Sequence, residues 1–168
     1  ACSVEIDDTP VLFTAPSMGG KSTLTDYFLS RGHGLVSDDK VAIVAEDGDF
    51  FVIPSHPNHR PYRQFEVLGR RADRFLGDKS AIGAIYNLRR VNPDENVQVT
   101  EVVGHRKFAG IRPSYLIDFG SLKENRLAFT AALANSLPFF EVKVPWNLER
   151  LKEVYAAICK NYRSLASG

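Results

Sequence analysis

The run Ala15-Pro16-Ser17-Met18-Gly19-Gly20-Lys21-Ser22-Thr23 decides how this chain is read. It stands between a short apolar segment, Val11 to Thr14, and a segment from Lys21 in which Leu24, Tyr27 and Phe28 share one helical face before Arg31-Gly32 stops it. A strand that turns through paired glycines into a helix is the setting of a P-loop. Each residue type there has a physical reason. Gly19 and Gly20 let backbone N–H groups wrap a phosphate, and the helix presents its positive N-terminus to it. Lys21 reaches the outer phosphates and Ser22 ligates Mg²⁺. Ala15 replaces the glycine that usually opens the pattern, which a small residue tolerates where the backbone needs no positive φ. The competing reading is a glycine turn capping an ordinary helix.

Working outward, Ser3 to Ile6 and Val11 to Thr14 flank the turn-rich Asp7-Asp8-Thr9-Pro10 and predict a hairpin. Downstream, Leu35 to Ser37, Val41 to Ala45 and Phe50 to Ile53 read as strands, as do Ala81 to Leu88 and Val97 to Val103 around the polar turn Asn92 to Asn96. Phe129, Ala132, Leu133 and Leu137 lie on one helical face, Phe140 to Val144 is strand-like, and Leu148, Leu151, Tyr155, Ile158 and Tyr162 predict a closing amphipathic helix. Trp146 and that helix are expected to pack in the core. The class is α/β or α+β, read as one domain over residues 1–168.

A length of 168 residues with 44% apolar and 24% charged residues fits that reading. Twenty-one Lys plus Arg against 20 Asp plus Glu leave a net charge of +1, so nothing chain-wide points to nucleic acid, and any basic site must be local. Neither a membrane-spanning run nor a secretory signal is apparent, and the chain is expected to be cytoplasmic, with no membrane partner. Cys2 and Cys159 lack metal-ligand or redox spacing and are expected to be reduced thiols. Met18 is the single methionine, so Ala1 is a processed start or the edge of a longer chain.

Phosphate binding alone does not make a kinase; a base and a second metal ligand are also needed. Asp38-Asp39, at the end of an apolar strand, supplies both in the crevice beyond the strand ends where ligands collect in open α/β sheets. Neighbours on an extended segment point opposite ways, so one carboxylate would face the metal and the other would take the proton of an attacking hydroxyl. An Asx turn joining two strands is the alternative.

The stretch from Ala15 to Leu24, followed by Arg31-Gly32-His33-Gly34-Leu35-Val36-Ser37-Asp38-Asp39-Lys40-Val41, resembles the HPr serine kinase family and its short relatives. The likeness is dense over Val11 to Val44 and faint but collinear through Ile85 to Leu88 and the strand ending at Pro145. It implies an ATP-dependent serine kinase of proteins or peptides, with a phosphoenolpyruvate-carboxykinase-like mixed β core and flanking helices. By the same resemblance Lys21 holds the outer phosphates, Ser22 and Asp39 serve Mg²⁺, and Asp38 is the general base. Homo-oligomers are also implied, though no residue here specifies an interface. The chain departs from the family in two places. No histidine precedes His33, and the Leu-Arg-Gly-Leu-Gly signature gives way to a segment rich in proline and arginine. The second departure leaves open which acceptor is used, HPr or another protein, a peptide or a small molecule, and whether the reverse, phosphate-removing activity is present.

That segment, 54–74, reads as a long basic loop with functional weight. Arg60 and Arg63 are its candidate contacts to the transferring phosphate or an acidic acceptor, against the alternative of solvated arginines. The expected function is an ATP- and Mg²⁺-dependent kinase acting on a serine hydroxyl. Its rivals are a small-molecule P-loop kinase and a nucleotide-binding module without transfer.

Overall fold

A computed structural model describes residues 1–60, 69–111 and 123–167. The run predicted as a hairpin is one: β1 (Cys2–Ile6) and β2 (Thr9–Thr14) pair antiparallel, Val4 opposite Val11, around Asp7 and Asp8, both with positive φ. After the glycine-rich turn come α1 (Lys21–Ser30), β3 (Leu35–Ser37), β4 (Ala42–Glu46) and β5 (Asp49–Ile53). Short strands β6 (Asn58–His59), β7 (Arg70–Arg71) and β8 (Ser80–Ala81) lead to β9 (Ala84–Val91), β10 (Gln98–Glu101) and α2 (His105–Ile111). The described chain closes with α3 (Lys123–Ser136), β11 (Phe139–Pro145), a 3₁₀ turn at Leu148–Arg150 and α4 (Leu151–Ala166).

Six strands form a mixed sheet in the order β10-β11-β9-β2-β1-β3, which bears out the mixed β core with flanking helices. β9 runs parallel to both β2 and β11, whereas β1 is antiparallel to β2 and to β3. It follows that β2, β3, β9 and β11 all end at the same edge of the sheet. Their period of two sends alternate side chains to opposite faces, and both faces are covered. Val4, Phe13 and Tyr86 meet Phe28 of α1 and Val154 and Ile158 of α4 on one face, all fully buried. On the other face Leu12, Ile85 and Phe139 meet Phe50 and Val52 of a three-stranded sheet, β4-β5-β8, together with Leu133 of α3. Fully burying one such apolar side chain contributes about 1.5–3 kcal/mol relative to exposure.

Several expectations change. The strand expected over Ala81 to Leu88 is two strands in different sheets, because the chain crosses from β8 to β9 at Ile82-Gly83. Within the basic segment, β6 and β7 pair antiparallel, His59 opposite Arg70, so it is not all loop; Arg63 lies outside the described residues. Trp146 is 46% exposed and Leu148 71% exposed, so neither packs in the core. Both follow the last residue of β11, Pro145, and so stand beyond the end of the strand. Among the described residues no helix is long and apolar enough to cross a membrane.

Candidate active site

β2 delivers the glycine-rich turn to the middle of the sheet's edge. Gly19 donates its N–H to the Pro16 carbonyl (3.1 Å), and a Cβ at Gly19 would stand 2.7 Å from the Ala15 Cβ and 3.0 Å from the Pro16 oxygen. Ala15, the departure from the usual pattern, is therefore the wall against which Gly19 packs, and no side chain fits there. Met18 and Gly20 hold positive φ of 60° and 86°. Gly20 starts α1 and its carbonyl accepts the Leu24 N–H (2.9 Å). No side chain caps this helix and no acid lies in its first turn, so its partial positive charge stays uncompensated at the turn. The Lys21 ammonium folds over the same turn, donating to the carbonyls of Ala15 (2.9 Å) and Pro16 (3.0 Å).

β3 delivers Asp38 to the same edge. The carboxylate is 6% exposed and engaged from three directions. Oδ2 accepts the Arg60 backbone N–H at 2.8 Å and lies 3.3 Å from His59 Nδ1; Oδ1 accepts the Cys2 thiol at 3.6 Å. Burial alone would push this carboxyl up, but the His59 ring and the Arg60 N–H outweigh it and hold it below the usual carboxylate range. The His59 ring is fully buried between two acids, its Nε2 being 3.7 Å from Asp26 on α1. Neither ring nitrogen is aligned for a hydrogen bond. Asp26 is also paired with Arg70 at 2.6 Å, so the β6–β7 ladder fastens the basic segment to α1 and His59 to Asp38 together.

Asp39 departs from the extended geometry expected of the pair. It takes a left-handed φ of 65°, in a turn closed by the Lys40 N–H to the Asp38 carbonyl (2.8 Å) and by Ser37 Oγ to the Lys40 carbonyl (2.5 Å). The two acids still separate, Asp38 inward and Asp39 exposed, but through this turn rather than strand alternation. Beside Asp39 a cleft of about 230 Å³ opens between the two sheets, walled by Leu12, Ile43, Ile85, Phe129 and Leu133 and also lined by Thr14 and Lys40.

Lys21, Ser22, Asp38 and Asp39 thus stand at one edge of the sheet, because β2 and β3 both run antiparallel to the β1 between them. Arg60 enters through its backbone, its side chain being exposed. The sequence gives no site role to His59 or to Cys2, which is expected only as a reduced thiol, and it places Trp146 in the core. His59 lies inside the basic segment 54–74, but no spacing rule links it to Asp38. Cys2 touches Asp38 because β1 and β3 are neighbours in the sheet.

No family model and no curated protein matches the chain. Among solved structures, it superposes on the HPr(Ser) kinase/phosphatase from Coxiella burnetii with a TM-score of 0.52. That match covers 100% of this chain and 97% of the other at 16% sequence identity. At that identity the likeness is one of architecture: this chain has the fold of that HPr(Ser) kinase/phosphatase.

Proposed function

We propose that the chain is a kinase that uses ATP and Mg²⁺ to phosphorylate a serine hydroxyl of a protein or peptide, within the single domain read over residues 1–168. One observation carries this. An uncapped helix N-terminus with a lysine folded over it shares a sheet edge with a buried carboxylate held in its charged form. The residues fit a nucleotide's phosphates: the turn leaves no room for a side chain at Gly19, and no acid lies in the first turn of α1. Ser22 and Asp39 would hold the metal. Among the described residues no three His, Cys, Asp or Glu groups converge on an ion, and Mg²⁺ that arrives with phosphates needs only one or two protein ligands. Bound there, it neutralises charge on the phosphates.

The chain's own residues do the rest. The first-turn N–H groups of α1 and the Lys21 ammonium bind and orient the phosphates. Asp38 takes the acceptor's proton as that oxygen bonds to the γ-phosphorus and the bridging oxygen leaves on ADP. The cleft beside Asp39 suits an apolar group next to the accepting hydroxyl. Cytoplasmic location and oligomeric assembly remain part of the reading. A contact from Arg60 or Arg63 to the transferring phosphate belongs to it as well.

The test is Mg²⁺-dependent ATP binding and transfer to a serine-containing peptide pool. Asp38→Asn is expected to abolish transfer while leaving the ATP Kd within about threefold, and Lys21→Ala to weaken binding about tenfold or more. Unchanged transfer in Asp38→Asn would refute the assigned base. A second reading, a nucleotide-binding module without transfer, draws on the fact that both Asp38 oxygens already have partners inside the fold. Tight ATP binding with no transfer to peptides or small hydroxyl compounds would favour it.

A further inference from the structure

Trp146 is the chain's single tryptophan, and the fold leaves it outside the core. Trp146 is 46% exposed, with the Arg90 guanidinium over its ring, 3.3 Å from the centroid. A Cβ placed on Gly20 would come within 3.8 Å of the indole Cζ3, so the indole borders the start of α1 at the phosphate-binding turn. The backbone around it is pinned. Trp146 donates its N–H to the Val91 carbonyl (3.1 Å), and Asn147 donates to the Pro145 carbonyl (2.8 Å). Arg150 fastens the following turn to the carbonyls of Pro93 (2.8 Å) and Glu95 (2.7 Å). An exposed aromatic on a fixed backbone costs little further ordering when a flat ligand lands on it.

The sheet order says which part of a nucleotide lies there. The glycine-rich turn leaves β2, Asp38 leaves β3 two strands to one side, and Trp146 leaves β11 two strands to the other, all at one edge. At about 4.8 Å per strand, the ends of β3 and β11 each lie roughly 10 Å from the end of β2, and the indole reaches back across that span to Gly20. The reacting end of a bound triphosphate faces Asp38 and Asp39, so the opposite end extends toward Trp146. We propose that Trp146, backed by Arg90, is the stacking platform for the purine ring of the nucleotide. This rests on the kinase reading's assignment of the phosphate site, and deepens it by naming the base subsite. Stacking uses a face that every base has, so ATP and GTP are expected to bind within a few-fold of each other.

The single indole is its own reporter. Intrinsic fluorescence and calorimetry would be recorded on the whole chain with Mg·ATP and, separately, with Mg·tripolyphosphate, which has the phosphates and no base. ATP is expected to quench Trp146 strongly and tripolyphosphate far less. Trp146→Ala should raise the Kd for ATP about tenfold, the size of one base–aromatic stack, and leave that for tripolyphosphate within about twofold; Trp146→Phe should recover most of the loss. Equal losses for both ligands would show a merely structural tryptophan and overturn the proposal, as would an ATP affinity untouched by Trp146→Ala. If tripolyphosphate does not bind the unsubstituted chain, the phosphate site itself fails and the base subsite falls with it.

Discussion

His59 Nδ1 lies 3.3 Å from the Asp38 carboxylate, although the two stand 21 positions apart and the histidine belongs to a segment with no apolar periodicity. The β6–β7 ladder brings the ring in and the Arg60 N–H closes on the same oxygen, so one short segment sets the charge state of the proposed base.

That relationship makes a pH prediction. A carboxyl held below its ordinary value contributes stability that is complete above that value and is lost as pH falls through the depressed one. Thermal melts between about pH 5 and about pH 2 should therefore fall more steeply for the native chain than for Asp38→Asn. His59→Ala should move the acidic limb of the transfer-rate profile to higher pH, since Asp38 then loses its proton later. Superimposable profiles would remove His59 from any role in setting Asp38.

The packing of Gly19 on Ala15 predicts a coupled pair. Gly19→Ala puts a methyl group into 2.7 Å contact with the Ala15 Cβ and should cost about 1–3 kcal/mol, with a weakened nucleotide Kd. Adding Ala15→Gly removes one of the two close contacts and should recover part of both losses, leaving that to the Pro16 oxygen. A double-mutant cycle by chemical denaturation checks this; strict additivity would show that the two positions do not touch.

Glu5 is nearly buried on β1 and pairs with Arg74 at 2.7 Å. Burial pushes its carboxyl up, with Arg74 opposing. Removing the guanidinium in Arg74→Ala leaves a buried carboxylate without its cation, and should cost about 2 kcal/mol at neutral pH, less than a fully buried pair because Arg74 is half exposed. The cost should shrink as pH falls through the raised value and Glu5 takes a proton. A penalty constant from about pH 7 down to about pH 4 would contradict the pairing.

Both thiols are buried, and burial pushes both up, so little thiolate exists at neutral pH. Ellman's reagent should react slowly with the native chain and promptly with two thiols after denaturation. Rapid modification of Cys2 in the native state would mean that the contact with Asp38 opens readily.

Local signals carried far into this structure. The turn residues Asp7 to Pro10 announced the β1–β2 hairpin, the change of period at Lys21 announced α1, and the glycines between them announced the tight turn that joins β2 to α1. These were legible because hairpins, helix starts and glycine turns are decided by a few consecutive residues. Boundaries set by pairing were not: β8 and β9 look like one strand until each finds its own sheet.

Residue type and local pattern single out Lys21, Ser22, Asp38 and Asp39, between strand ends and helix starts, as the candidates for holding phosphate and metal and for accepting a proton. Tertiary structure alone decided that His59 and Cys2 close on Asp38 and that Trp146 stands open beside Gly20. The reason is physical. Periodicity and turn chemistry are short-range and specify an element and its faces. Neighbours across a sheet edge depend on which distant strands share a ladder, and that is settled only when both faces of the sheet are buried together.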